Sequence, residues 1–189
     1  MDIIEIATIN ENREFGTPVT EDTYVILKDN FSLSGNANAT YPTKEIKLNG
    51  WEGTSYMRLL KGGVVEVTTG LGDWWGAGLE IKGNGKGENL TEFANGTIHF
   101  EMRCESKSSF EVGFQTGHFA NGTQTNNFAD FGPQKKYATS KDWKSYSLKI
   151  SELNNNAKLD DVTGLLIFRE IDKMDGKKVF LRNIYYSKS

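Results

Sequence analysis

The sequence of 189 residues is poor in the groups that build reactive centres. One cysteine, Cys104, excludes a disulfide scaffold and a zinc ribbon. Two histidines, His99 and His118, leave no room for a histidine-rich metal site, and neither has a paired base or nucleophile near it in sequence. Three prolines and no low-complexity stretch argue against an internal domain boundary. No apolar run approaches the ~20 residues of a membrane-spanning helix. No charge of one sign dominates: 22 Lys and Arg face 25 Asp and Glu, a formal net charge of -3, so the chain has no general pull on nucleic acid or anionic lipid. Met1–Ile6 lacks the basic and apolar regions of a signal peptide, which leaves a cytosolic protein or a module of a longer secreted one. The Asn-, Thr-, Ser- and Gly-rich turns favour the secreted module. The sequons at Asn30, Asn38, Asn89, Asn95 and Asn121 read as chance in an Asn- and Thr-rich bacterial sequence.

What the chain has in quantity is aromatics, at 12%, and twenty glycines. Period-2 alternation between turn signals predicts strands at Tyr24–Leu27, Ser55–Leu60, Val64–Thr69, Trp74–Ile81, Thr97–Cys104, Ser109–Thr116, Lys144–Ile150, Gly164–Glu170 and Lys178–Tyr186. Gly62-Gly63, Asn84-Gly85, Asn95-Gly96, Asn121-Gly122 and Asp175-Gly176 punctuate them. Only Ser151–Asn156 suggests a helical turn. The expectation is an all-β, antiparallel two-sheet β-sandwich of jelly-roll type with about nine strands and almost no helix. It forms one domain over residues 1–189, with 1–22 a linker-like segment or an edge strand.

Alternation also sorts the faces. Trp75, Ala77, Leu79 and Ile81 share one side of their strand, and Trp74, Gly76, Gly78 and Glu80 the other. Ile98, Phe100, Met102 and Cys104 oppose His99, Glu101 and Arg103; Phe110, Val112 and Phe114 oppose Glu111, Gly113 and Gln115. Met57 and Leu59 leave Tyr56 and Arg58 together. Cys104 therefore reads as a buried core thiol. Strand glycines point to close approach of a ligand or of another backbone. Trp74 beside Gly76, Gly78 and Gly113 offers a plane for the C–H face of a sugar ring. Tyr56, Arg58, Glu80, Glu101, Arg103, Glu111 and Gln115 offer donors and acceptors for its hydroxyls. The competing reading is an outer sheet face that is merely solvated. Trp51 looks loop-borne and either rims such a groove or packs on the sandwich. Trp143 anchors a strand end. Phe128, Phe131 and Tyr137 fall in the long Gly117–Asp142 connection, as ligand contacts or as a small cluster of their own.

The order of these features resembles jelly-roll, galactose-binding-like carbohydrate-binding modules such as those of families 4 and 11. The resemblance rests on Glu52-Gly53-Thr54-Ser55-Tyr56-Met57-Arg58-Leu59, Gly72-Asp73-Trp74-Trp75-Gly76-Ala77-Gly78-Leu79 and Ala94-Asn95-Gly96-Thr97-Ile98-His99-Phe100-Glu101-Met102-Arg103. It continues through Phe110–Gly117, Asp142–Leu148 and Val179–Tyr186, and so covers most of the chain from Thr23 onward. It implies a non-catalytic module of a secreted polysaccharide-degrading enzyme, covalently linked to its catalytic domain and raising the local substrate concentration. Family members often hold a structural calcium through an Asp before a closing Asn-Ile pair. Arg182 stands there in this sequence, leaving Asp29 and Asn183 as the candidate ligands.

The expected ligand is a β-linked polysaccharide, with β-glucan such as laminarin or mixed-linkage glucan favoured. Two alternatives accompany it. One is an acidic algal polymer such as alginate, held by Arg58 and Arg103. The other is a small glycanase: Glu170-Ile171-Asp172-Lys173-Met174-Asp175 resembles the E-x-D-x-x-E strand of family 16 glycoside hydrolases. Its last residue is Asp and leads into a turn, which argues against catalysis by Glu170, Asp172 and Asp175.

Overall fold

A computed structural model describes residues 22–26, 39–72, 74–154, 156–173 and 176–188. Twelve strands form two sheets: β1 (Thr23–Val25), β2 (Ala39–Thr40), β3 (Ile46–Gly50), β4 (Ser55–Leu60), β5 (Val64–Thr69), β6 (Gly76–Ile81), β7 (Thr97–Cys104), β8 (Phe110–Thr116), β9 (Thr125–Phe131), β10 (Lys144–Lys149), β11 (Val162–Glu170) and β12 (Lys178–Ser187). Among the described residues one short helix, α1 (Ile150–Leu153), follows β10. The first sheet has seven strands, ordered β10-β7-β12-β1-β2, with β5 also paired to β12 and β4 to β5. The second has five, ordered β3-β6-β11-β8-β9. The β1–β2 ladder is parallel and the other ladders are antiparallel.

The core between the sheets is built from the inward half of each alternation. Trp75, Phe110, Phe114, Phe131 and Phe168 from the five-stranded sheet meet Ile98, Phe100, Met102, Leu181 and Tyr186 from the seven-stranded one. Cys104 belongs to this set and is buried. Each such side chain contributes roughly 1.5–3 kcal/mol by leaving water, which is why the alternation predicts the sandwich. Two irregularities decide what faces outward. In β11 the register against β6 shifts between Gly164 and Leu166; Leu165 and Leu166 both enter the core and Ile167 comes out on the far face. In β12 the register shifts between Arg182 and Tyr185 around Asn183, whose φ of 50° lies in the left-handed region that Asn tolerates.

Three strands escape the sequence reading: β2, β3 and β9. The last corrects the account of the Gly117–Asp142 connection. Phe131 is fully buried, Tyr137 stacks on it at 4.9 Å, and Phe128 stands on a strand, so this segment extends the sheet and folds on its own cluster. Trp74 precedes β6, which begins at Gly76. Residues 1–21, Asp29, Asp73 and Asp175 lie outside the described residues.

Candidate functional site

The outer face of the five-stranded sheet is laid out in three rungs fixed by register. The first runs Lys47, Glu80, Gly164, Gln115, Asn126. The second runs Asn49, Gly78, Ile167, Gly113, Phe128, and the third Gly76, Arg169, Glu111, Asp130. Trp51 lies against β6 from Gly76 to Glu80, and Trp74 is near-parallel to it, ring centroids 6.2 Å apart at 21°. Trp51 sits on a tight 3-10 turn, Trp51–Gly53, that uses positive φ at Glu52 (51°) and Gly53 (71°). Thr54 closes the turn by donating its N–H and its hydroxyl to the Trp51 carbonyl, at 2.9 and 2.7 Å. Trp74 is 39% exposed.

The strand glycines do not leave an open floor, as the sequence suggested; they seat side chains of the protein itself. A Cβ at Gly76 would strike the Trp51 ring, one at Gly78 or Gly164 would meet Ile167, and one at Gly113 would meet Phe128 and the Asn127 carbonyl. Polar groups on this face are paired with one another. Glu80 accepts from the Trp51 indole N–H and from Asn49 Nδ2 (2.9 Å), with Lys47 Nζ at 3.6 Å. Arg169 grips Glu111 through Nε (2.6 Å) and a terminal nitrogen (2.5 Å), and its guanidinium lies 4.8 Å over the Phe128 ring. Gln115 donates to Asn126 Oδ1 at 2.9 Å.

The eleven ligand-binding residues expected from the sequence thus separate. Trp51, Trp74, Glu80, Glu111, Gln115 and Phe128 share this face. Tyr56, Arg58, His99, Glu101 and Arg103 stand on strands β4 and β7 of the other sheet, on its outer side, so the single groove assembled from all of them does not exist. That second face is largely satisfied. Arg58 and Lys178 both bind the buried Glu66, at 2.8 and 3.0 Å. Arg103 covers Phe180, and Arg182 covers Trp143 at 3.9 Å while pairing with Glu101 at 2.7 Å. Trp143 packs beside Leu60, Val64 and Phe180, as its reading as a strand anchor requires. His99 stacks on Tyr185 and is bracketed by the hydroxyls of Ser147 (3.1 Å) and Ser187 (2.9 Å); burial pushes its imidazole down to about 4.

Sequence reasoning missed Lys47, Asn49, Asn126, Ile167 and Arg169. The outward alternation of Ile167 and Arg169 was available within a predicted strand, whereas the other three stand on strands that were not read. Asn183 donates its amide to Glu101 (2.9 Å) beside the Arg182 cation. The Asn183 amide is thus engaged by a carboxylate that also pairs with Arg182, and Asp29, the other candidate calcium ligand, lies outside the described residues. Of the carboxylate motif, Asp172 accepts the Ser109 backbone N–H at 2.9 Å, which with the Ser109 hydroxyl holds its carboxyl below the usual range.

The family model of Carbohydrate binding domain 30 matches residues 18–188. Among solved structures, the fold is similar to the family 30 carbohydrate-binding module of the cellulosomal cellulase Cel9D-Cel44B of Clostridium thermocellum. That match has 16% identity and a TM-score of 0.56, covering 76% of this chain and 93% of that one. Another family 30 module is similar at 15% identity and a TM-score of 0.58, covering 77% and 85%. A family 29 module complexed with mannohexaose is similar at 14% identity and a TM-score of 0.52, covering 88% and 92%. No curated protein matches. The matching family is 30; nothing in these comparisons points specifically to families 4 or 11.

Proposed function

Because the chain belongs to the Carbohydrate binding domain 30 family, it is a non-catalytic carbohydrate-binding module, and we propose that it binds a neutral β-linked glucan on the outer face of the five-stranded sheet. The observation that carries this reading is the Trp51–Trp74 pair, with Trp51 seated on Gly76, on a face where Lys47 and Arg169 are each paired with a carboxylate. Aromatic planes suit the C–H faces of pyranose rings. Among the described residues of this face, Lys47, Lys135 and Arg169 each pair with a carboxylate, which favours a neutral chain over a uronate, and Arg58 and Arg103, which an alginate chain would use, belong to the opposite face.

The ligand path runs across the strands. From β6, against which Trp51 is seated, to Phe128 on β9 is three inter-strand intervals, roughly 14–15 Å, about the length of three pyranose units. Gln115, Asn126 and Asn49 flank that path with amides, the groups suited to hydroxyls. Trp51 is held before any ligand arrives, so little side-chain entropy is lost on binding. A mutant family 29 module of similar fold is complexed with cellulohexaose, which makes β-1,4-linked chains candidates beside laminarin and mixed-linkage glucan. Within a longer secreted protein the module would hold a linked catalytic domain on its polymer.

Titration calorimetry with gluco-oligosaccharides of increasing length tests this. Affinity should rise until the chain spans about three units, then level off. Alginate should not bind. Binding of alginate in place of glucans would overturn the reading.

A further inference from the structure

The residue that most constrains the tryptophan pair is not aromatic. Glu80 lies on β6, two rungs from Gly76, and its side chain is 17% exposed. Its carboxylate is engaged from one side by Trp51 Nε1 and from the other by Asn49 Nδ2 at 2.9 Å, with Lys47 Nζ at 3.6 Å. All three donors come from one stretch of chain, β3 and the turn that follows it. The carboxylate therefore ties the Trp51 turn to the neighbouring strand through a side chain, in addition to the β3–β6 backbone ladder. Gly76 supplies the other half of the constraint: it is the seat of the Trp51 ring, and any side chain there would displace the indole.

Resting on the binding site proposed above, we infer that Glu80 is a positioning residue: it fixes the plane of Trp51 against Trp74, and glycan affinity depends on it without a glycan contact. An indole on a surface turn has two soft side-chain torsions. A charge-assisted hydrogen bond at its far edge removes the freedom of both. The glycan then meets a platform already in place, and the ordering of that ring is not charged to the binding step. Gly76 acts on the same pose from beneath, so the two residues form one device. Glu111 does not serve Trp51 in this way, because Arg169 occupies it.

Two near-parallel indoles produce a coupled circular-dichroism band in the ultraviolet whose sign and size depend on their mutual orientation. That band reads the platform without any sugar. Trp74→Phe identifies it, since that change removes one partner of the pair. In the folded wild-type module, Glu80→Ala should abolish the band and weaken oligosaccharide binding roughly tenfold, the loss expected when a well-placed aromatic contact is forfeited. Glu80→Gln keeps an oxygen for the indole N–H and should restore both the band and the affinity. Gly76→Ala should reproduce the Glu80→Ala result by displacing the ring from below. Should Glu80→Ala not fold, Gly76→Ala and Glu80→Gln still decide the matter. An unchanged band with lost affinity would make Glu80 a direct sugar ligand and overturn the inference; an unchanged band with unchanged affinity would overturn it as well. If the wild type binds no glycan, the site assignment fails, while the band still shows whether Glu80 sets the ring.

Discussion

Trp74 and Trp75 are adjacent in the chain and lie on opposite sides of the five-stranded sheet, Trp74 39% exposed and Trp75 1%. Trp75 packs edge-on against Phe110 in the core; Trp74 faces Trp51 outside it. Trp75 belongs to the core, and Trp74 belongs to the proposed binding face. Trp74→Ala should lower glycan affinity by at least about tenfold with little change in melting temperature, as loss of a tryptophan hot spot does. Trp75→Ala should cost about 3–5 kcal/mol and unfold much of the population. Calorimetry and thermal melts on the two variants check both halves.

Ionic strength separates neutral from acidic ligands. If contacts are made through ring faces and amides, affinity for β-glucan should hardly change between low salt and near-molar salt. A uronate gripped by arginines would be released as those contacts are screened. Pull-down of the module on insoluble glucan across a salt series is sufficient, and a steep fall in the bound fraction would point to charged recognition.

The seven-stranded sheet should respond to pH. Burial pushes the His99 imidazole down to about 4, whereas an unfolded histidine titrates near ~6.5. The unfolded chain therefore takes up the proton first as pH falls. Stability is lost progressively between about 6.5 and about 4, with no contribution from this group above that window. Thermal melts of the wild type should decline through the window, and those of His99→Gln should show a shallower decline. Glycan binding should stay flat from pH 5 to 8, because His99 is on the other sheet.

On that same face, Glu101 joins β7 to β12 through Arg182 and Asn183. Both side chains of the ion pair are largely buried, at 8% and 11% exposure. Glu101→Gln leaves the Arg182 charge without its partner and should destabilise by about 3 kcal/mol. Sugar affinity of the folded fraction should be unchanged. Chemical denaturation followed by ligand titration measures the two independently.

Much of the sandwich was legible because burial dictates alternation. Ser55–Leu60, Val64–Thr69 and Thr97–Cys104 coincide with β4, β5 and β7. Strand β9 was not legible, for a local reason: Asn127 occupies an inward position, fully buried, its amide satisfied by the Thr125 hydroxyl at 3.1 Å and the Phe114 carbonyl at 3.4 Å. A polar residue on the dry side breaks the period-2 signal that marks a strand. Strand β2 is two residues long and β3 ends in Asn-Gly, so neither sustains a pattern.

The site failed for a different reason. Within each strand the outward set was read correctly: Trp74 with Glu80, His99 with Glu101 and Arg103, Glu111 with Gln115. Which sheet a strand joins is decided by long-range pairing, and alternation carries no information about it. Strand β7 looks like β6 and β8 in pattern, yet it pairs with β10 and β12, which carries His99, Glu101 and Arg103 to the far side of the molecule. The glycines misled in a related way. They do mark close approach, as strand glycines should, but what approaches is Trp51, Ile167 and Phe128.

Glycan is proposed to bind the five-stranded sheet and not the seven-stranded one. Backbone and indole NMR signals followed during titration with a neutral β-gluco-oligosaccharide test it most directly. Shifts should be confined to Trp51, Trp74, Gln115, Asn126, Phe128 and their strand neighbours, with Tyr56, Arg58, His99 and Arg103 silent. Shifts centred on Tyr56, Arg58 and Arg103, with the Trp51 and Trp74 indoles unmoved, would contradict it.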